Sequence, residues 1–118
     1  MKNGSVIGTA NAVAAVPFER IRPLINVDGA RVLLGLDYQP PGLTVGAEPA
    51  RSLVWMHGAY WYQGEYIFKS HPQGTAVTYR IRNISGHPDL VIRVWQRRVL
   101  KAQQQNLDVY LLDLPNRL

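Results

Sequence analysis

Few side chains in this 118-residue chain are suited to chemistry. Its three histidines, His57, His71 and His87, fall at strand ends or turns. No pair has the H-x₃-H or H-E-x-x-H spacing that sets two imidazoles around a metal, so no metal site is expected. His57 is the best acid–base candidate, because it ends a strand carrying Trp55 and could point the same way. Beside Gly58, its first reading is ordinary turn chemistry. Glu65 sits between tyrosines, yet it alternates onto the face opposite Arg80, so a cross-strand ion pair is favoured over a buried general acid. There is no G-x-S-x-G and no phosphate-cradling glycine loop. With no cysteine, thiol catalysis, disulfides and Cys-ligated metals are excluded.

The tyrosines are more informative. Residues 59–84 carry four of the six in the chain and read as two long strands joined at residues 70–74. If Ser70 pairs with Thr75, then Phe68 faces Val77, Tyr66 faces Tyr79, Gly64 faces Ile81 and Tyr62 faces Asn83. That face is almost wholly apolar or aromatic. The opposite face pairs Ile67 with Thr78, Glu65 with Arg80 and Gln63 with Arg82, and is expected to be wet. A slip of one residue would carry both arginines inside, so the register should be firm. Gly64, small among aromatics, is a candidate bulge or bend. A tyrosine has an apolar body and a hydroxyl that needs a partner when buried. Tyr62, Tyr66 and Tyr79 could therefore line a pocket, with Tyr66 and Tyr79 as further acid–base candidates, or they could fill a solid core.

The elements that must position this face follow from patterning. Residues 5–13 read as a first strand, and Val16-Pro17 opens a short helix over 17–25, shortened by Pro23. Asp28-Gly29 reads as a turn and residues 31–37 as a second strand. A short edge strand over 43–45 and a strand over 51–57 precede the hairpin. From residue 89 to 114 no Gly or Pro intervenes. Ile92, Trp95, Val99, Leu107, Tyr110, Leu111 and Leu114 share one stripe opposite Arg93, Arg97, Lys101, Gln104 and Asp108. This predicts a single amphipathic helix of about 25 residues, roughly 38 Å long, ended by Pro115. Gln103 is the odd polar residue inside the stripe. Trp95 is expected under this helix and Trp55 inward. Trp61 is expected on the outer face near Ile84, where an exposed pair would suggest a homodimer contact.

Composition sets the outer limits. At 47% hydrophobic and 18% charged, a folded domain is expected, and the length suits one domain spanning 1–118. The net charge of +5 is dispersed, so nucleic acid is not the expected partner, although Arg93, Arg97 and Lys101 form a basic line. The opening residues lack a secretory apolar core and no run is long enough to span a bilayer. A cytoplasmic location without membrane insertion is therefore expected.

The order of elements, together with three segments, resembles the START-like or polyketide cyclase/dehydrase-like (SRPBCC) superfamily. IGTANAVAAVPFERIRPLIN is similar to its first strand and helix, HPQGTAVTYRIR to its penultimate turn and last strand, and VIRVWQRRVLKAQQQNLDVYLLDL to its closing helix. The resemblance implies an α+β helix-grip fold, in which a curved antiparallel sheet of five to six strands grips a long C-terminal helix. It also implies a cavity for a lipid, polyketide or other small hydrophobic or aromatic ligand, without a cofactor. The wall expected for it is Trp55, Tyr62, Tyr66, Phe68, Tyr79, Asn83, Trp95, Val99 and Gln103. Cyclase or dehydratase chemistry in that cavity, or a partner-binding role for the basic helix face, are the alternatives.

Overall fold

The computed structural model describes residues 4–36, 42–58 and 61–118. It is an α+β fold with one five-stranded antiparallel sheet. The strands are β1 (Ser5–Ala14), β2 (Thr44–Glu48), β3 (Leu53–His57), β4 (Tyr62–His71) and β5 (Gly74–Asn83), in the order β1-β5-β4-β3-β2. Helices α1 (Phe18–Ile21) and α2 (Val27–Leu33) carry the chain from one sheet edge to the other. After β5 come α3 (Asp89–Trp95), α4 (Arg97–Lys101) and α5 (Gln103–Arg117).

The long hairpin has the register read from its sequence: Ser70 opposite Thr75, Tyr66 opposite Tyr79 and Tyr62 opposite Asn83. Gly64 pairs in step with Ile81, so it marks no bulge; the one register shift on β5 lies between Val6 and Gly8 of β1. At the turn, Gly74 adopts φ 138° and a methyl group there would lie 2.1 Å from the Ala14 carbonyl. The hairpin tip can therefore close on β1 only with glycine. Thr75 adds a hydrogen bond from its hydroxyl to the Val16 carbonyl at 2.7 Å.

The expected wet face is not wet at its centre. Gln63 and Glu65 are fully buried. The Glu65 carboxylate takes Arg80 at 3.1 Å, both Nε and Nη2 of Arg82 at 3.1 and 3.2 Å, and Gln63 Nε2 at 2.9 Å. Arg82 also donates to the Gly4 carbonyl beside β1, so one carboxylate ties β4, β5 and the start of β1. Burial pushes the Glu65 pKa up, but the hydrogen bonds from Arg82 and Gln63 and the charges of Arg82 and Arg80 outweigh it and hold the carboxyl below its usual range.

Three expectations are corrected. Residues 31–37 do not begin a strand, and Asp28-Gly29 is no turn: both fall on α2, and Asp37 lies outside the described residues. Asn26 caps that helix, accepting from the Gly29 amide at 2.6 Å, and Asp28 sits in its first turn. A methyl group on Gly29 would lie 2.3 Å from the Leu24 carbonyl, so its lack of a side chain serves close packing. The closing helix is not continuous either. It breaks at Gln96 (φ −110°, ψ 23°) and again at Ala102, leaving a final helix of 15 residues that runs through Pro115 rather than stopping at it. Finally, Trp61 is half-buried against the core and Tyr62, not part of an exposed pair with Ile84.

The core lies between the inner sheet face and α5, which packs chiefly on β1. Gly8, Ala10, Ala12 and Ala14 make a low floor there, and buried Gln103, Leu107, Tyr110 and Leu114 of α5 sit on it at helical spacing. Tyr66, Phe68 and Tyr79 of β4 and β5 rise beside them.

Replacing Glu65 with Ala should cost about 3 kcal/mol, because Arg80 and Arg82 lose their only close carboxylate among the described residues. Urea unfolding will measure this. The depressed pKa gives a sign as well: stability is fully present above the unfolded value of 4.5 and is lost as pH falls through the folded value. Glu65→Gln should flatten that acid limb.

Candidate functional site

The inner face of β4 and β5 brings Tyr62, Tyr66, Phe68 and Tyr79 together, as their alternation requires. The Tyr66 and Tyr79 rings stack at 4.7 Å across the strands, and Tyr110 of α5 stacks on Tyr66 at 4.5 Å. Gly64 makes room, since Tyr79 lies over it at ordinary van der Waals distance from where a methyl group would stand. Val99 is partly buried against the same core.

Gln103 is explained by geometry rather than by a ligand contact. Its side-chain amide donates to the Tyr79 carbonyl at 2.9 Å and is buried. The amide reaches this position because residue 8 is glycine: a methyl group there would lie 2.4 Å from its Oε1. Asn83 likewise serves the chain. It donates to the His87 carbonyl and to Asp89, and accepts from the Ser85 amide and hydroxyl. Asp89, at the start of α3, also takes the Ser5 hydroxyl, and these hydrogen bonds from Ser5 and Asn83 lower its pKa.

Two expected wall residues stand elsewhere. Trp55 pairs with Glu65 and therefore lies on the outer face; Val54 and Met56 are the inward residues of β3. The indole covers Gly46 of the edge strand β2, where a methyl group would lie 2.2 Å from the ring, and it stacks on His57 at 5.5 Å. His57 thus shares the outer face with Trp55, across the sheet from the tyrosines. Trp95 is 70% exposed instead of lying under the helix.

The residues that sequence reasoning left out of the wall are Tyr110, Met56 and Arg117. Tyr110 and Arg117 follow Gln103 at successive seven-residue steps, so extending the helical stripe would have found them. Arg117 lies over the Tyr110 ring at 5.3 Å, pairs with Asp113 at 2.7 Å and donates to the Leu33 carbonyl. It also lines a surface cavity of about 410 Å³ between α2 and α5, with Arg31, Val32, Gly35, Leu36, Asp113 and Asn116. At the other end of the wall, Leu43, Met56, His57, Gly58 and Tyr62 enclose about 120 Å³.

The hydroxyls decide what this wall can do chemically. Burial raises the pKa of Tyr66, Tyr79 and Tyr110 far above the ordinary phenol value, and the mutual proximity of the tyrosines adds to it for Tyr66 and Tyr79. Near neutrality these groups are protonated. They suit hydrogen-bond donation, not general-base catalysis. The Tyr110 hydroxyl is buried with no hydrogen-bond partner among the protein's groups. Among the described residues no three His, Asp or Glu side chains are grouped to hold a metal ion. No described helix is long and apolar enough to cross a membrane.

A raised tyrosine pKa stabilises the fold below the unfolded value of 10.0, and that contribution is lost as pH rises past it. Native protein followed at 295 nm should therefore leave these three of the six tyrosines untitrated near pH 11, while all six titrate together in denaturant. Six simultaneous titrations in the folded protein would contradict the buried stack.

No family model matches this sequence, and no curated protein matches it. Among solved structures, the chain is similar to TTHA0849 from Thermus thermophilus, with a TM-score of 0.54 and 16% identity. The likeness covers 93% of this chain and 94% of that one. At this identity it is a likeness of fold alone.

Proposed function

We propose that this chain is a binding domain of the START-like (SRPBCC) kind that holds a small apolar or aromatic molecule against the tyrosine wall. The observation that carries the reading is the buried, unpartnered hydroxyl of Tyr110, in the ring stack with Tyr66 and Tyr79. A buried donor without a partner costs about 1–3 kcal/mol, and a ligand acceptor placed there would recover it. A small-molecule site needs mostly apolar lining and a few oriented polar groups. Tyr66, Phe68, Tyr79 and Met56 supply the first, and the protonated hydroxyls supply the second. The five-stranded sheet closed by a C-terminal helix is compatible with the superfamily arrangement, and the likeness to TTHA0849 supports that comparison at the level of fold.

Nile red, an apolar dye with a carbonyl acceptor, tests the reading by fluorescence titration. The protein should bind it saturably. Tyr110→Phe should weaken binding about tenfold, as loss of one buried hydrogen bond predicts, while unfolding stability stays level or rises by about 1 kcal/mol. Absence of saturable binding, with the same gain in stability, would mean that the rings form a solid core. Native mass spectrometry of freshly purified protein gives the independent check, as a retained small molecule lost in Tyr110→Phe.

A further inference from the structure

We infer that α3 and α4 form a docking surface for an anionic lipid membrane, seated at the interface and not across it. Helix α3 turns its apolar side outward. Ile92 is its only buried residue, whereas Leu90, Val94 and Trp95 are 73%, 62% and 70% exposed. A surface helix ordinarily buries such a stripe, and a contiguous exposed one marks an interaction site. The His87 ring meets Trp95 edge-on at 6.4 Å, which helps to hold the indole at the surface.

Basic residues border this apolar side. Arg93, Arg97, Arg98 and Lys101 all reach the surface. Asp89, the one acid of α3 and α4, is engaged by Ser5 and Asn83. The combination of outward apolar groups, a tryptophan and an unbalanced cationic rim is what an amphipathic segment uses at a negatively charged bilayer surface. Charge separates this occupant from the others. A two-fold contact with a second copy would set the four cations against their own equivalents. A nucleic-acid backbone would satisfy the cations but give Leu90, Val94 and Trp95 nothing apolar to cover them.

Flotation with phosphatidylcholine vesicles, with and without 30% phosphatidylglycerol, tests the inference at physiological salt. The protein should float only with the anionic vesicles, and its tryptophan emission should shift to the blue. Arg97→Ala with Arg98→Ala should weaken binding roughly tenfold or more. Leu90→Ala with Trp95→Ala should weaken it and abolish the shift, and the far-ultraviolet spectrum should be unchanged because both side chains are exposed. Equal binding to neutral vesicles, no binding, or full binding by either double variant would overturn the proposal. So would a stable dimer that Leu90→Ala with Trp95→Ala dissociates, or salt-sensitive retention on duplex DNA without vesicle binding.

Discussion

A single buried carboxylate fixes the sheet. Glu65 has no exposed surface, on a face of the sheet that alternation would assign to solvent. An ion in that position persists only with its charge and lone pairs matched, and Arg80, Arg82 and Gln63 match them. The match exists in one register only. Moving β5 by one residue would separate Glu65 from Arg80 and Arg82 and also part Tyr66 from Tyr79. The electrostatics of one face and the aromatic stacking of the other therefore specify the same alignment. Through the Gly4 carbonyl, Arg82 extends that alignment to β1 and hence to the floor on which α5 rests.

That floor makes the two halves of the core unequal. Beneath α5 the sheet presents glycine and alanines, which let the helix approach closely; beside it the tyrosines stand tall. Tyr110 is where the two meet, stacked on Tyr66 and covered by Arg117. The ring stack supplies apolar contact, and the hydroxyls supply donors that burial keeps protonated. Such an arrangement favours binding over proton abstraction. The aromatic pair on the outer face, Trp55 and His57, does a different task by covering the glycine of the edge strand.

Much of the hairpin was legible because strand alternation has a period of two, and Glu65 with two arginines forbids a slip. The first helix and its shortening at Pro23 were legible too, since proline constrains the backbone locally. Helix α2 was not: the apolar run after Arg31 suits a strand or a helix, and Asp28-Gly29 resembled a turn. The decisive signal was Asn26, whose cap is recognisable only when the following residues are taken as helical. Within the candidate wall, Tyr62, Tyr66, Phe68 and Tyr79 were placed together by register. Trp55 was assigned to the wrong face because its strand has apolar residues at every step from Leu53 to Met56, leaving alternation without contrast.

By itself the sequence determined the α+β class, the hairpin register and the presence of an aromatic inner face, all of which follow from local geometry and short-range alternation. Only the tertiary structure decided that Glu65 is buried, that the closing helix breaks at Gln96 and Ala102, and that Gln103 binds the Tyr79 carbonyl. Those outcomes depend on what approaches from distant parts of the chain. Gly8 admits the Gln103 amide, and Arg82 reaches from one strand to the next. The same dependence sets Tyr110 on Tyr66 and leaves Trp95 in solvent, although both belong to one apolar stripe when the helix is taken as continuous.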